Sequence, residues 1–205
     1  MKNTNQSLFG KYEMIKDLGT GSSGSVTLVR HISMDHERAL KKVPKASAFA
    51  ESALSEARLL KSLEHPSIPR IFDFEEDDAF YYIVEEYIDG ETLDSFLLHQ
   101  QLISPGLFFN ICEQLCNVFI YLHTQISTPI IYRDLKPEHI IVCHNKLKLI
   151  DFGVSTYVTQ KGNNFNHYGN IEFSAPECFT EDTITPAADI YSLGQLLQYI
   201  LTFTP

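Results

Sequence analysis

Apolar and polar residues alternate along Ala39-Leu40-Lys41-Lys42-Val43. The run predicts a strand with Ala39, Lys41 and Val43 on one face and Leu40 and Lys42 on the other. Tyr12 to Leu18 and Val26 to Arg30 read as two earlier strands, and Leu147 to Ile150 as a short later one. The period is helical over Ser52 to Leu63, where Leu54, Ala57, Leu60 and Leu63 follow one stripe and Pro66 stops it. Cys112, Leu115, Cys116 and Phe119 also share helical spacing. So do Leu193, Leu196, Leu197, Ile200 and Leu201, after Asp189.

The first two strands flank Gly19-Thr20-Gly21-Ser22-Ser23-Gly24-Ser25-Val26, a G-x-G-x-x-G-x-V string. Glycines let backbone N–H groups approach phosphate oxygens with no Cβ in the way. The string alone also fits a Gly/Ser-rich hairpin turn. Its strand-to-strand setting separates it from a dinucleotide fingerprint, which runs from strand into helix. Lys41 points to the side of small and apolar neighbours, where an unpaired ammonium is costly, whereas Lys42 is expected in solvent. Glu56, 15 residues after Lys41, lies beside the apolar stripe of the predicted helix and is the available partner; Glu51 suits the solvated role. Further on, Tyr132-Arg133-Asp134-Leu135-Lys136-Pro137-Glu138-His139 precedes Asp151-Phe152-Gly153. Asp134, able to take a proton, stands 17 residues before Asp151, able to hold a metal. These are parts for moving a phosphoryl group from a nucleotide to a hydroxyl.

In this order, and with Ala175-Pro176-Glu177 following, the motifs resemble those of eukaryotic-type serine/threonine protein kinases over nearly the whole chain. The resemblance implies an α+β, two-lobed fold. Residues 1–88 would form a small antiparallel sheet lobe with one main helix, and residues 89–205 a larger, mainly α-helical lobe. It also implies ATP with Mg2+ and a protein hydroxyl as acceptor. By that likeness Lys41 holds the α/β-phosphates and pairs with Glu56, Asp134 accepts the hydroxyl proton, Lys136 stands near the transferred phosphate, and Asp151 coordinates the metal. The nucleotide would be held by Gly19, Thr20, Gly21, Ser22, Ser23 and Gly24, by Val26, Ala39 and Ile141 about the base, and by backbone groups of Glu86 and Ile88 at its edge. Leu60, Ile71, Tyr132 and Phe152 would stack as an apolar column.

Four departures from the family pattern shape the expectation. His139 stands where the family places an asparagine that ligates a second metal. Imidazole nitrogen suits Mn2+ or zinc better than Mg2+, so the substitution leaves open a manganese preference, slow turnover or a dead site. Glu85 takes the gatekeeper position, where it could compete with Glu56 for Lys41. In the activation segment Asn170 replaces a threonine, with a side chain able to reach Asp134 and Lys136. Lys161 to His167 holds no Ser, Thr or Tyr opposite Arg133, so loop phosphorylation is expected to be dispensable. Finally, the sequence ends just past the helix that Asp189 begins. That helix's apolar faces are then expected to be covered by a partner, by a second copy, or by chain beyond Pro205.

Composition narrows the rest. A length of 205 residues with 44% hydrophobic content supports a well-buried core. A net charge of −10 argues against a nucleic-acid surface and favours basic protein substrates, with Glu138 and the acidic run Glu75 to Asp78 as candidate attractors. No apolar run is long enough to span a membrane, and Met1 to Leu8 are expected to fray. Cys112, Cys116, Cys143 and Cys178 form no C-x-x-C pair. The first two read as buried free thiols, in keeping with a reducing cytoplasm. Two rival readings remain beside the active kinase: a nucleotide-binding pseudokinase acting as a scaffold, and a small-molecule kinase of related fold.

Overall fold

A computed structural model describes residues 7–21, 24–100, 102–158, 170–180 and 184–203. The chain divides into two compact units, residues 1–64 with 69–88 and residues 65–68 with 89–205. The fold is α+β.

The first unit is a six-stranded antiparallel sheet with one helix. Its strands are β1 (Ser7–Leu8), β2 (Tyr12–Gly21), β3 (Gly24–His31), β4 (His36–Pro44), β5 (Ile71–Glu76) and β6 (Phe80–Glu86), in the order β1-β2-β3-β4-β6-β5. The hairpin of β2 and β3 runs to the pair Gly21 and Gly24, so both strands are longer than their apolar alternation implies. Gly24 is obligatory there: its φ is +144°, and a Cβ would run into the Lys42 carbonyl.

Helix α1 (Ala50–Lys61) covers one face of the sheet, where Val43 and Ile83 pack against Ala53 and Ala57. The opposite face carries a second core of Tyr12, Val29, Leu40, Tyr82 and Val84, closed by Leu8 and Phe80. This core corrects two expectations. Leu8 belongs to strand β1 and is packed, while residues 1–6 lie outside the described residues. Lys42 is not simply solvated: its ammonium lies 3.9 Å from the Phe80 ring centre, on the same face as Leu40.

A polar seam runs along that face. The Lys11 ammonium pairs with Asp73 and Glu75, and the Tyr12 hydroxyl donates to Asp73 at 3.1 Å. Burial alone would raise the Asp73 carboxyl, but the Lys11 and Tyr12 hydrogen bonds outweigh it and hold the group below its ordinary value. The Tyr82 hydroxyl and the N–H groups of Ala79 and Phe80 hold Asp77 down as well. The folded unit therefore binds fewer protons than the unfolded chain in acid. The stability from these carboxylates is fully present above the ordinary carboxyl pKa of about 4 and is lost as pH falls through the lowered folded values. Thermal unfolding followed against pH is expected to show the first unit weakening below about pH 4, with a shallower fall in Asp73→Asn.

The second unit is mainly helical. Its strands are short: β7 (Glu91–Thr92), β8 (Ile130–Ile131), β9 (Ile140–Cys143), β10 (Lys146–Leu149) and β11 (Thr156–Tyr157) form the sheets β10-β9-β7 and β11-β8. The helices are α2 (Leu93–Leu98), α3 (Pro105–Ile120), α4 (Glu177–Thr180) and α5 (Ala187–Thr202). Ser104 caps α3 by accepting the Leu107 N–H, and Pro105 opens its first turn.

Helix α3 buries Ile111, Leu115, Val118 and Phe119, and α5 buries Leu193, Leu196 and Ile200. Cys116 is exposed and Cys112 only partly covered, which corrects the expectation of two buried thiols: both sit on the flank of the α3 stripe. On α5, Leu197 is half-buried, while Ile190 and Leu201 are more than half exposed. No helix among the described residues is long and apolar enough to cross a membrane.

Candidate active site

In the first unit the strand alternation delivers Lys41 to the helix-covered face. Its Nζ lies 2.6 Å from Oε2 of Glu56, with the two side chains 13% and 8% exposed. Glu56 follows Ala53 and precedes Ala57 on the buried side of α1, so the carboxylate is held by packing as well as by charge. Glu85, across the ladder from Ala39, is partly buried, and the pairing of Lys41 with Glu56 is made in its presence.

Gly19, Thr20 and Gly21 end β2, and Gly24 and Val26 open β3, paired as Gly19 with Val26. Ser22 and Ser23 lie outside the described residues. Ala39 is buried on β4, and Glu86 closes β6 with its N–H given to the Arg70 carbonyl at 2.9 Å. Ile88 follows it. Ile141 belongs to the second unit, where it lies opposite Thr92 and Lys148.

In the second unit the segment from β8 to β9 carries the candidate residues Asp134, Lys136 and His139. Asp134 Oδ2 is 3.0 Å from Lys136 Nζ. The backbone turns sharply here, with Arg133 at φ +75°, a conformation that needs outside support in a non-glycine residue. The support is Asp189 at the head of α5, a fully buried carboxylate. Its Oδ1 accepts the Arg133 N–H and its Oδ2 the Tyr132 N–H, both at 2.8 Å, and His123 Nε2 lies 2.8 Å from Oδ2. Burial, the larger influence, lowers the Arg133 guanidinium, and the nearby Cys178 and Asp189 act against it. In the sequence Asp189 marks only a helix start; the signal for its wider role is an acid inside the run Ala187-Ala188-Asp189-Ile190.

Tyr132 packs edge-on against Phe152 at 5.0 Å and donates its hydroxyl hydrogen to the Ile150 carbonyl. This ties the turn that carries Arg133 and Asp134 to the one that carries Asp151. Asp151 itself adopts φ +61°, and the Gly153 N–H fixes its Oδ1.

His139 lies between the two carboxylates. Its Nδ1 is 3.0 Å from the Asp134 carbonyl and 3.4 Å from Asp134 Oδ2, and its Nε2 is 3.5 Å from Asp151 Oδ2. The neighbours of Nδ1 are all acceptors, since the Tyr132 hydroxyl has given its hydrogen to Ile150. A hydrogen on Nδ1 is accepted by the Asp134 carbonyl, and Nε2 faces Asp151 Oδ2. One imidazole nitrogen and one carboxylate oxygen facing each other suit a divalent ion of borderline softness. Among the described residues no group of three His, Cys, Asp or Glu converges on a metal position. The donor set thus fits an ion that takes its remaining ligands from phosphate and water, as magnesium-type sites do.

Asn170 turns its side-chain oxygen onto the Glu172 N–H rather than onto Asp134 or Lys136. Thr159, the stretch Lys161 to His167 and Tyr168 lie outside the described residues. Burial, and then the negative charges of Asp94, Glu138 and Glu172, push the Tyr199 phenol above its ordinary value. This marks an acidic neighbourhood on the same unit as Asp134.

The profile of the protein kinase domain matches residues 12–205. The chain belongs to the protein kinase family. It is 31% identical over 200 residues to the serine/threonine-protein kinase PrkC of Bacillus subtilis, covering 94% of this chain and 30% of that protein. Calcium-dependent protein kinase 4 of Plasmodium falciparum is 33% identical over 220 residues, covering 100% of this chain and 40% of the relative. For the serine/threonine-protein kinase ppk25 of Schizosaccharomyces pombe the identity is 32% over 194 residues, with 92% and 45% covered. The chain therefore spans less than half the length of these relatives.

Proposed function

We propose that this kinase domain transfers the γ-phosphoryl group of ATP to a serine or threonine hydroxyl of a basic protein, with the metal held by Asp151 and His139. The observation that carries this reading is the intact catalytic turn, in which Asp134, Lys136, His139 and Asp151 are drawn into one group around the His139 ring. A bound divalent ion would supply Lewis-acid neutralisation of phosphate charge.

Asp134 orients the acceptor hydroxyl and takes its proton. Lys136, beside it, offsets negative charge on the group in transit. Lys41, held rigid by Glu56, binds nonbridging phosphate oxygens, and backbone N–H groups of the Gly19 to Gly24 hairpin do the same. Asp94, Glu138 and Glu172 supply negative charge for a basic substrate residue. Free cysteines fit action in the reducing cytoplasm.

Metal preference tests the role of His139. Transfer is expected to run faster in Mn2+ than in Mg2+. In His139→Asn the manganese-to-magnesium rate ratio is expected to fall roughly tenfold, because an amide oxygen replaces the nitrogen. Equal ratios in the two proteins would remove His139 from the metal site.

A further inference from the structure

The four cysteines differ in what surrounds them. Burial raises the Cys112 and Cys178 thiols, which slows both as nucleophiles. Cys116 is exposed on the outer flank of α3. Among the described residues, Cys143 is the cysteine with an imidazole placed on it, its Sγ 3.2 Å from Nδ1 of His144.

The hairpin builds this pair. Cys143 ends β9, and the two-residue connection His144-Asn145 has φ of +49° and +61°, the doubly left-handed form that tight hairpins favour. Histidine does not choose this backbone freely, and α3 holds it in place. Gln114 donates to the Asn145 carbonyl at 3.0 Å and accepts the Leu147 N–H at 2.9 Å, and its amide also donates to Asn110. Lys146 lies directly opposite Cys143 in the ladder, so its side chain leaves the same face of the hairpin. The pair is reachable: Cys143 is partly exposed, and His144 and Lys146 are exposed.

We propose that Cys143 is a thiol–disulfide exchange site for a small anionic disulfide such as oxidised glutathione, with His144 as its proton acceptor. In the exchange, His144 Nδ1 takes the thiol proton and the Cys143 sulfur attacks one sulfur of the disulfide. The new S–S bond forms as the old one breaks. The departing thiolate recovers the proton from His144, so one disulfide and one protein thiol become one mixed disulfide and one free thiol. The Lys146 ammonium, and the imidazolium that His144 becomes on taking the proton, complement the carboxylates of the incoming molecule.

The test is a time course of the native chain with oxidised glutathione, read by intact mass and by mapping of the modified peptide. Wild type, Cys143→Ser, His144→Asn and Lys146→Ala are compared. Asparagine tolerates the left-handed backbone at position 144, so His144→Asn keeps the hairpin while removing the base. The expected result is one glutathione on Cys143 ahead of Cys116, and loss of that adduct in Cys143→Ser. His144→Asn should react at Cys143 about tenfold slower or worse, with the rate at Cys116 unchanged. Lys146→Ala should be slowed less, and more at low salt than at high. Modification of Cys116 first, or a Cys143 rate indifferent to His144→Asn, would overturn the proposal.

Discussion

Replacing Asp189 by alanine is expected to cost the second unit about 3–5 kcal/mol and to abolish phosphoryl transfer with it. The carboxylate is fully buried and answers three donors at 2.8 Å: the N–H groups of Tyr132 and Arg133 and the His123 ring. Alanine would leave all three without an acceptor in a region closed to water. It would also release the Arg133 backbone from its left-handed conformation, and with it the orientation of Asp134. Denaturant unfolding of wild type, Asp189→Ala and Asp189→Asn measures the effect. The asparagine variant should fall between the other two, because its amide oxygen can still accept while its NH2 group faces a donor. A midpoint unchanged in Asp189→Ala would show that the catalytic turn is held by something else.

The second large effect concerns chemistry rather than stability. Asp134→Asn is expected to lower the transfer rate by about 10²–10⁴-fold, the usual worth of a positioned proton acceptor. Nucleotide affinity and the unfolding temperature should stay near those of wild type, because the amide fills the same volume. The Lys136 ammonium, 3.0 Å from Oδ2, keeps an oxygen beside it in the variant. Single-turnover transfer measured beside equilibrium nucleotide binding separates the two quantities. A parallel loss of both would mean that Asp134 organises the loop instead of taking the proton.

The parts of the site that the sequence revealed are those set by short-range pattern. Alternation put Lys41 on the Ala39 and Val43 face, and the helical stripe put Glu56 on the covered side of α1; the two meet at 2.6 Å. Asp134 and Asp151, singled out by their motifs, stand at opposite ends of one histidine ring, a juxtaposition that only the structure displays.

What stayed hidden depends on distant chain. Asp189 supports backbone groups 57 and 56 residues earlier, and no local period encodes that pairing. Lys42 differs from the expected solvated lysine because alternation names the two faces of a strand but not what covers them; here Leu8, Phe80 and Tyr82 build a second core. Cys116 is exposed for the converse reason, since a residue at helical spacing can still fall on the flank of the buried stripe.

The direct test of the account is labelled-ATP transfer to a basic protein substrate, run in Mg2+ and separately in Mn2+, with wild type and Asp151→Asn side by side. The account predicts label on serine or threonine, faster in Mn2+, and absent from the Asp151→Asn reaction. Tight nucleotide binding with no transfer in either metal would contradict it and leave the domain a nucleotide-binding scaffold.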